Sequence, residues 1–340
     1  MFNPRVLFLV KRRNLTYTPP FGLLYSAAFV ADLLHRHHID AKVVQVTDGN
    51  DIDKEVVNFN PTHVIIEALW ATPAKVRELL NLPRHANRTW VIRLHSKPSF
   101  LAMEGMAMEW LAELAELSKK HHNLRLSANN ESANDEYSQV FRVPFLFLPN
   151  YYSLGNRKPL SQHRDSLHIG CFGAMRPLKN HLPQAFGAIM YANRKGVPLN
   201  FYINSTRIEQ HAEPVFKNLR ALFAAQPKHK LVEVPWMAHD DFLKFILNMD
   251  LGLQVSFSDS FNIVTADFAS TGVPIVVSPE IFWMPDMFKA NPTDAEDISC
   301  KLELADRLPR FFSRFAMRRG LRKYNIVSEF SWLRFIKRKQ

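Results

Sequence analysis

The chain has 340 residues, more than one compact core commonly holds, and this predicts two domains. Its 47% hydrophobic and 22% charged residues suit a folded protein; two distant cysteines, and no apolar stretch of about 18 residues, argue against a disulfide framework, a thiolate zinc site and a membrane span. The net charge is +11, of which +9 falls in residues 301–340, so the tail either meets an anionic partner or is a solvated helix face.

Residues 5–10 (RVLFLV) read as a buried strand, and their apolar run is too short for a signal-peptide core, so a reducing, cytoplasmic location is expected. A Pro- and Gly-bearing loop follows, then apolar residues at helical spacing over 23–35. Strands are predicted at 41–46, 63–68, 90–95 and 124–127, with a helix over 106–119, and the segment 145–152 closes this series. Residues 154–167 are polar and aperiodic, as a linker would be. A second series opens at His168, with strands near 199–203, 230–234, 251–255 and 274–277 and helices over 183–195 and 240–247. Alternation of this kind predicts an α/β protein: two Rossmann-like, doubly wound domains facing a central cleft. The expected division is 1–152, 166–315 and a basic helical segment 316–340.

Two segments carry most of the chemistry. In SFSDSFNIVTADFASTGVPIVV, residues 256–277, seven residues separate Asp259 from Asp267, and a helix starting near Phe261 and Asn262 would leave Asp259 in the preceding loop. The amides that open such a helix, including that of Ile263, suit phosphate oxygens, and two carboxylates suit sugar hydroxyls. The competing reading makes Asp259 an N-cap and Asp267 an exposed helix residue. In GCFGAMRPLKN, residues 170–180, a strand meets a turn at Gly173 followed by Arg176 and Lys179. Cations there can neutralise a diphosphate leaving group, or they are simply solvated. The histidine pairs at 37–38 and 121–122 and the run His239, Asp240, Asp241 are poor metal sites, since neighbours on a helix face different ways; no metal and no cofactor are expected.

The second half resembles the family-4 retaining glycosyltransferases of the GT-B fold. That family's E-G-F-G-x4-E followed by G-x-P-V-V is matched by Asp259, Phe261, Asn262 and Asp267, then Gly272, Pro274 and Val276. Its G-R-x-x-x-x-K is echoed by Gly173 and Lys179, its IPNG by residues 147–150 (FLPN), and its VHG strand end by Leu94, His95 and Ser96. The departures are both glutamates shortened to aspartate, Asn262 for a glycine, and Ala174 at the arginine position with Arg176 two residues on. The resemblance implies a nucleotide-sugar donor, with a uridine nucleotide expected. It implies Asp259 at the transferred sugar, Asp267 at the ribose, Lys179 and Arg176 at the diphosphate, and His95 at the sugar from the other domain. It also implies retention without a metal, and a last helix that crosses back to the N-terminal domain.

Residues 66–70 (IEALW) and 93–96 (RLHS) resemble bacteriophage-encoded glycosyltransferases, some of which glycosylate hydroxymethylated bases in DNA. The leading expectation is therefore a 5-hydroxymethylated pyrimidine acceptor in double-stranded DNA, met by Lys11, Arg12, Arg13 and Lys97. Two alternatives stand beside it. One is a bacterial surface-polysaccharide or glycolipid glycosyltransferase; the other is an inactive nucleotide-sugar- or DNA-binding protein.

Overall fold

A computed structural model describes residues 4–12, 22–155 and 165–337. Arg13 and most of the expected linker lie outside the described residues. The chain divides into two compact units. Unit 1 takes the described residues up to Ser153 together with those from Tyr324 onward, and unit 2 takes Leu154–Lys323.

Unit 1 holds a six-stranded, all-parallel sheet of β1 (Arg5–Lys11), β2 (Asp40–Val46), β3 (His63–Glu67), β4 (Thr89–Leu94), β5 (Leu124–Ala128) and β6 (Phe145–Phe147), in the order β2-β1-β3-β4-β5-β6. Helices cover both faces, so the central strands are unbroken apolar runs rather than alternating ones. Successive side chains still point to opposite faces. Leu7, Leu9, Val64, Ile66 and Ile92 fill one core. Val6, Phe8, Val10, Ile65 and Val91 fill the other, together with Trp332 and Ile336 from the C-terminal helix.

Unit 2 holds a five-stranded parallel sheet of β7 (Leu167–Cys171), β8 (Leu199–Asn204), β9 (His229–Val234), β10 (Leu251–Gln254) and β11 (Ile275–Val277), in the order β11-β10-β7-β8-β9. Both orders are doubly wound. The direction of winding reverses between β1 and β3 in unit 1, and between β7 and β10 in unit 2. Open α/β sheets bind ligands outside the carboxyl ends of strands at such reversals.

The helix Arg310–Lys337 is 28 residues long, beginning six residues before the expected basic segment. Its first part packs within unit 2, where Arg318 Nη1 donates to Ser270 O at 2.7 Å. Gly320 there lies so close to Trp283 O that a Cβ would sit 2.4 Å away. Its second part packs within unit 1. Asn325 exchanges two hydrogen bonds with the Tyr152 backbone, at 2.8 and 3.2 Å, and Trp332 Nε1 donates to Pro149 O at 2.8 Å. The helix therefore returns to the N-terminal domain, as the resemblance implies.

Candidate functional site

In unit 2 the residues singled out from sequence gather at the carboxyl ends of β7 and β10, which flank the reversal point. Beyond β7 the chain turns at Gly173, whose φ of +115° strains any other residue, and its N–H donates to Asn204 Oδ1 at 2.8 Å. A short 3-10 turn, Pro177–Lys179, then aims Lys179 back towards β10. Beyond β10, the loop through Ser256 and Asp259 leads into the helix Ile263–Thr271.

Lys179 Nζ donates to Asp259 Oδ2 at 2.6 Å, with only 19% and 10% of the two side chains exposed. Asn262 Nδ2 donates to the same oxygen at 2.7 Å and Ser260 N–H to Oδ1 at 3.1 Å. Burial by itself raises the Asp259 pKa, but the Lys179 ammonium and these bonds outweigh it and hold the carboxyl below its ordinary range. Asp259 is thus a fixed anion beside a fixed cation. The ammonium has three N–H groups, and Asp259 takes one.

The helix begins as the motif spacing predicts, but its cap is Asn262, not Asp259: Asn262 Oδ1 accepts from Thr265 N at 2.8 Å. The same side chain donates to Gln254 Oε1 at 2.7 Å, so Asn262 ties the strand end, the Asp259 carboxylate and the helix start together. Its φ of +59° shows why a glycine suits this position and why Asn, which tolerates the left-handed region, can replace it. Asp267 is buried, and His239 Nε2 bonds its Oδ1 at 2.7 Å. The competing reading of a capping Asp259 and an exposed Asp267 is not what the fold adopts. Phe261 is buried against Trp283, whose Nε1 donates to Phe261 O at 2.9 Å.

Arg176 does not join Lys179 in pairing with Asp259. Its Nε and Nη2 donate to Glu209 Oε2 at 2.8 and 2.5 Å, and Arg207 Nε donates to Glu209 Oε1 at 2.6 Å. Burial pushes the Glu209 pKa up, but the two guanidiniums prevail and bring it to about 2. Glu209, Asn262 as cap, and His239 as partner of Asp267 were not legible from sequence, because each contact joins segments whose proximity no local pattern encodes.

In unit 1, His95 follows β4 and Glu67 ends β3. Glu67 and Arg93 are wholly buried; Arg93 Nη1 donates to both Glu67 oxygens at 3.0 Å, and His95 Nε2 bonds Glu67 Oε2. Arg93 also donates to Leu148 O at 2.9 Å and Asn150 Oδ1 at 2.7 Å. Lys11 and Arg12 are exposed at the carboxyl end of β1, and Lys97 precedes the short helix Pro98–Leu101.

No protein-family model and no curated protein matches the sequence. Solved structures do. A trehalose-6-phosphate synthase, OtsA, superposes with a TM-score of 0.68 at 10% identity, covering 99% of this chain and 99% of its own. Anabaena HepE, in complex with UDP and glucose, gives 0.62 at 12%, covering 96% and 95%. A mutant of S. aureus TarM, in complex with fondaparinux, α-GlcNAc-glycerol and UDP, gives 0.61 at 13%, covering 81% of this chain and 55% of its own. The likeness runs through both sheets and the final helix, and the fold is GT-B.

Proposed function

We propose that this chain is a retaining glycosyltransferase that moves a sugar from a UDP-sugar donor onto the hydroxymethyl group of a 5-hydroxymethylated pyrimidine in DNA. The observation that carries the transfer chemistry is the Lys179–Asp259 pair at the β7/β10 reversal, beside the start of the helix Ile263–Thr271. That is where a doubly wound sheet takes a nucleotide, and a helix start favours negative charge. Complexes of Anabaena HepE and S. aureus TarM with UDP support the choice of nucleotide.

In this reading the bond from the sugar's anomeric carbon to the diphosphate oxygen breaks. The Lys179 ammonium neutralises charge gathering on the departing phosphate, and the Asp259 carboxylate faces the positive charge developing on the sugar ring. The departing phosphate accepts the proton of the incoming hydroxyl on the same face, and configuration is retained. Asp267, held by His239, takes the ribose hydroxyls. No residue of this scheme requires a metal ion.

The DNA acceptor is supported by the +11 net charge and by the exposed Lys11 and Arg12. The target base would have to leave the duplex to react. Incubation with a panel of nucleotide sugars and duplex DNA containing hydroxymethylcytosine, followed by mass spectrometry of the nucleosides, tests the proposal. A gain of one hexose or pentose supports it; donor hydrolysis without that gain refutes the DNA acceptor but not the transferase.

One observation favours a second reading, a surface polysaccharide or glycolipid acceptor at an anionic membrane. Phe311, Phe312 and Phe315 are exposed on the C-terminal helix, followed by exposed Arg319, Arg322 and Lys323. No described helix is long and apolar enough to cross a membrane. Co-sedimentation with anionic vesicles, set against binding to duplex DNA, separates the two readings.

A further inference from the structure

Charge is unevenly divided between the two edges of the six-stranded sheet of unit 1. Its strands start in residues 4–5, 36–38, 60–62, 81–88, 119–125 and 142–144. Arg5 enters β1, Arg36 precedes β2, and Arg84 and Arg88 precede β4. Lys119, Lys120 and Arg125 flank the start of β5, and Arg142 precedes β6. These segments thus hold eight Lys or Arg, and no Asp or Glu falls among them.

Hydrogen bonds join the segments into one surface. Arg5 N–H donates to Thr62 Oγ1 at 2.9 Å, Arg88 Nη2 to Asn60 Oδ1 at 2.8 Å, and Asn123 Nδ2 to Arg88 O at 3.3 Å. Six parallel strands spaced about 4.8 Å apart make this edge a row about 24 Å long.

Helix dipoles account for part of the charge. The helices Gly22–Arg36, Asp51–Phe59, Pro73–Leu80, Ala107–Lys120 and Glu131–Phe141 end at this edge, each presenting about half a negative charge. Asp40, Asp53 and Glu116 bind Arg5, Arg84 and Lys119 at 2.8, 2.7 and 2.6 Å. With both set against the eight cations, a surplus of about two to three positive charges remains. Arg36, Lys120 and Arg142 carry it on exposed side chains. Among the described residues, no exposed large apolar side chain falls in these segments, so nothing here inserts into a bilayer. A polymer of phosphates, which needs only charge and hydrogen-bond donors, fits the edge better than a lipid surface.

We infer that the amino-terminal edge of the unit 1 sheet is a second nucleic-acid surface, one that holds the phosphate backbone of a DNA duplex without reading its sequence. Guanidiniums such as those of Arg36 and Arg142 suit phosphate oxygens, and a row of about 24 Å matches about seven phosphates of one strand. From Arg5 to Lys11 is about 20 Å along β1, so a duplex lying here leaves the carboxyl end of the sheet uncovered. The edge acts as a tether that keeps a DNA polymer at high local concentration. Such binding needs neither a hydroxymethylated base nor a sugar donor, and it stands apart from the transferase reading.

The experiment is fluorescence anisotropy of the full-length protein with a short labelled duplex of unmodified DNA, over a series of salt concentrations. Lys119→Gln/Lys120→Gln/Arg142→Gln is expected to weaken binding at low salt about tenfold or more. It should also lower the slope of log affinity against log salt by about three. Lys217→Gln/Lys228→Gln/Lys230→Gln removes as much charge from exposed lysines of unit 2 and is expected to change the slope by less than about one. All six positions are exposed, and circular dichroism checks that both variants keep the fold. No binding by the wild type, an unchanged slope in the first variant, or an equal loss in both overturns the inference. Loss of binding to anionic vesicles by the first variant, with duplex affinity kept, also overturns it and assigns the edge to a bilayer. If no protein transfers sugar but the first variant alone loses duplex affinity, the transferase reading fails and the tether stands.

Discussion

Replacing Lys179 by Met tests the electrostatics of the candidate donor site without any knowledge of the substrate. The substitution leaves Asp259 buried with its hydrogen bonds from Asn262 and Ser260 but without its cation. Breaking a buried pair by removing one partner costs about 3–5 kcal/mol. Here the side chains remain 19% and 10% exposed, so some solvent screening persists and we expect about 2–3 kcal/mol at pH 7. The pH dependence follows from the sign of the shift. The wild-type carboxyl titrates below its ordinary range, so the pair adds stability above about pH 4 and loses it as pH falls through the folded-state value. In Lys179→Met burial is opposed only by the remaining hydrogen bonds, so the Asp259 pKa is expected to rise from its wild-type position. The charged carboxylate then contributes less stability at pH 7 than in the wild type, and acidification removes that difference by protonating it. Urea unfolding of wild type and variant at pH 7 and at mildly acidic pH should therefore show a difference that shrinks on acidification. Lys179→Met/Asp259→Asn should return to within about 1 kcal/mol of wild type, because no buried charge is left unpaired. A single variant costing under about 0.5 kcal/mol, or a double variant no better than the single, would refute the reasoning.

Three further outcomes are expected. Asp259→Asn should lower sugar transfer by about 10²- to 10³-fold while circular dichroism stays unchanged; a wild-type rate removes Asp259 from the mechanism. Gly173→Ala should lower stability by about 1–3 kcal/mol in urea titrations. A Cβ there meets no neighbour, so the whole cost comes from φ +115°, and an unshifted midpoint contradicts the backbone assignment. Binding to duplex DNA, followed by fluorescence anisotropy, should weaken steeply between low and moderate salt. Salt-independent binding would count against phosphate contact.

Much of the fold is legible in the sequence because parallel strands buried on both faces leave dense apolar runs such as RVLFLV in β1. The helix Asp51–Phe59 and the helix Pro73–Leu80 are less legible, being short and half polar. The C-terminal helix is read too short for a different reason. Phe311, Phe312 and Phe315 face solvent while Met317 and Leu321 face the core, so apolar residues occur all round and the helical stripe is blurred. In the candidate site, the spacing of Asp259 and Asp267 survives into the fold, whereas the partner of each is visible only once distant segments meet. Lys179 lies 80 residues from Asp259 and His239 lies 28 residues from Asp267. His239 draws notice in the sequence for its acidic neighbours, yet its Nε2 serves the carboxylate of another helix.

The burial of Trp332 and Ile336 among Phe8, Leu148 and Tyr151 has a consequence for how the chain matures on the ribosome. Domains made during synthesis ordinarily finish in the order in which they emerge. Here the strands made first belong to the core completed last. All six strands of unit 1 are outside the ribosome long before Trp332 is, and until then one face of their sheet lacks its indole. Unit 2, which ends at Lys323, can close earlier. A nascent chain of this protein therefore carries an apolar seam along its first sheet until Trp332 and Ile336 emerge, and their docking is the event that seals it.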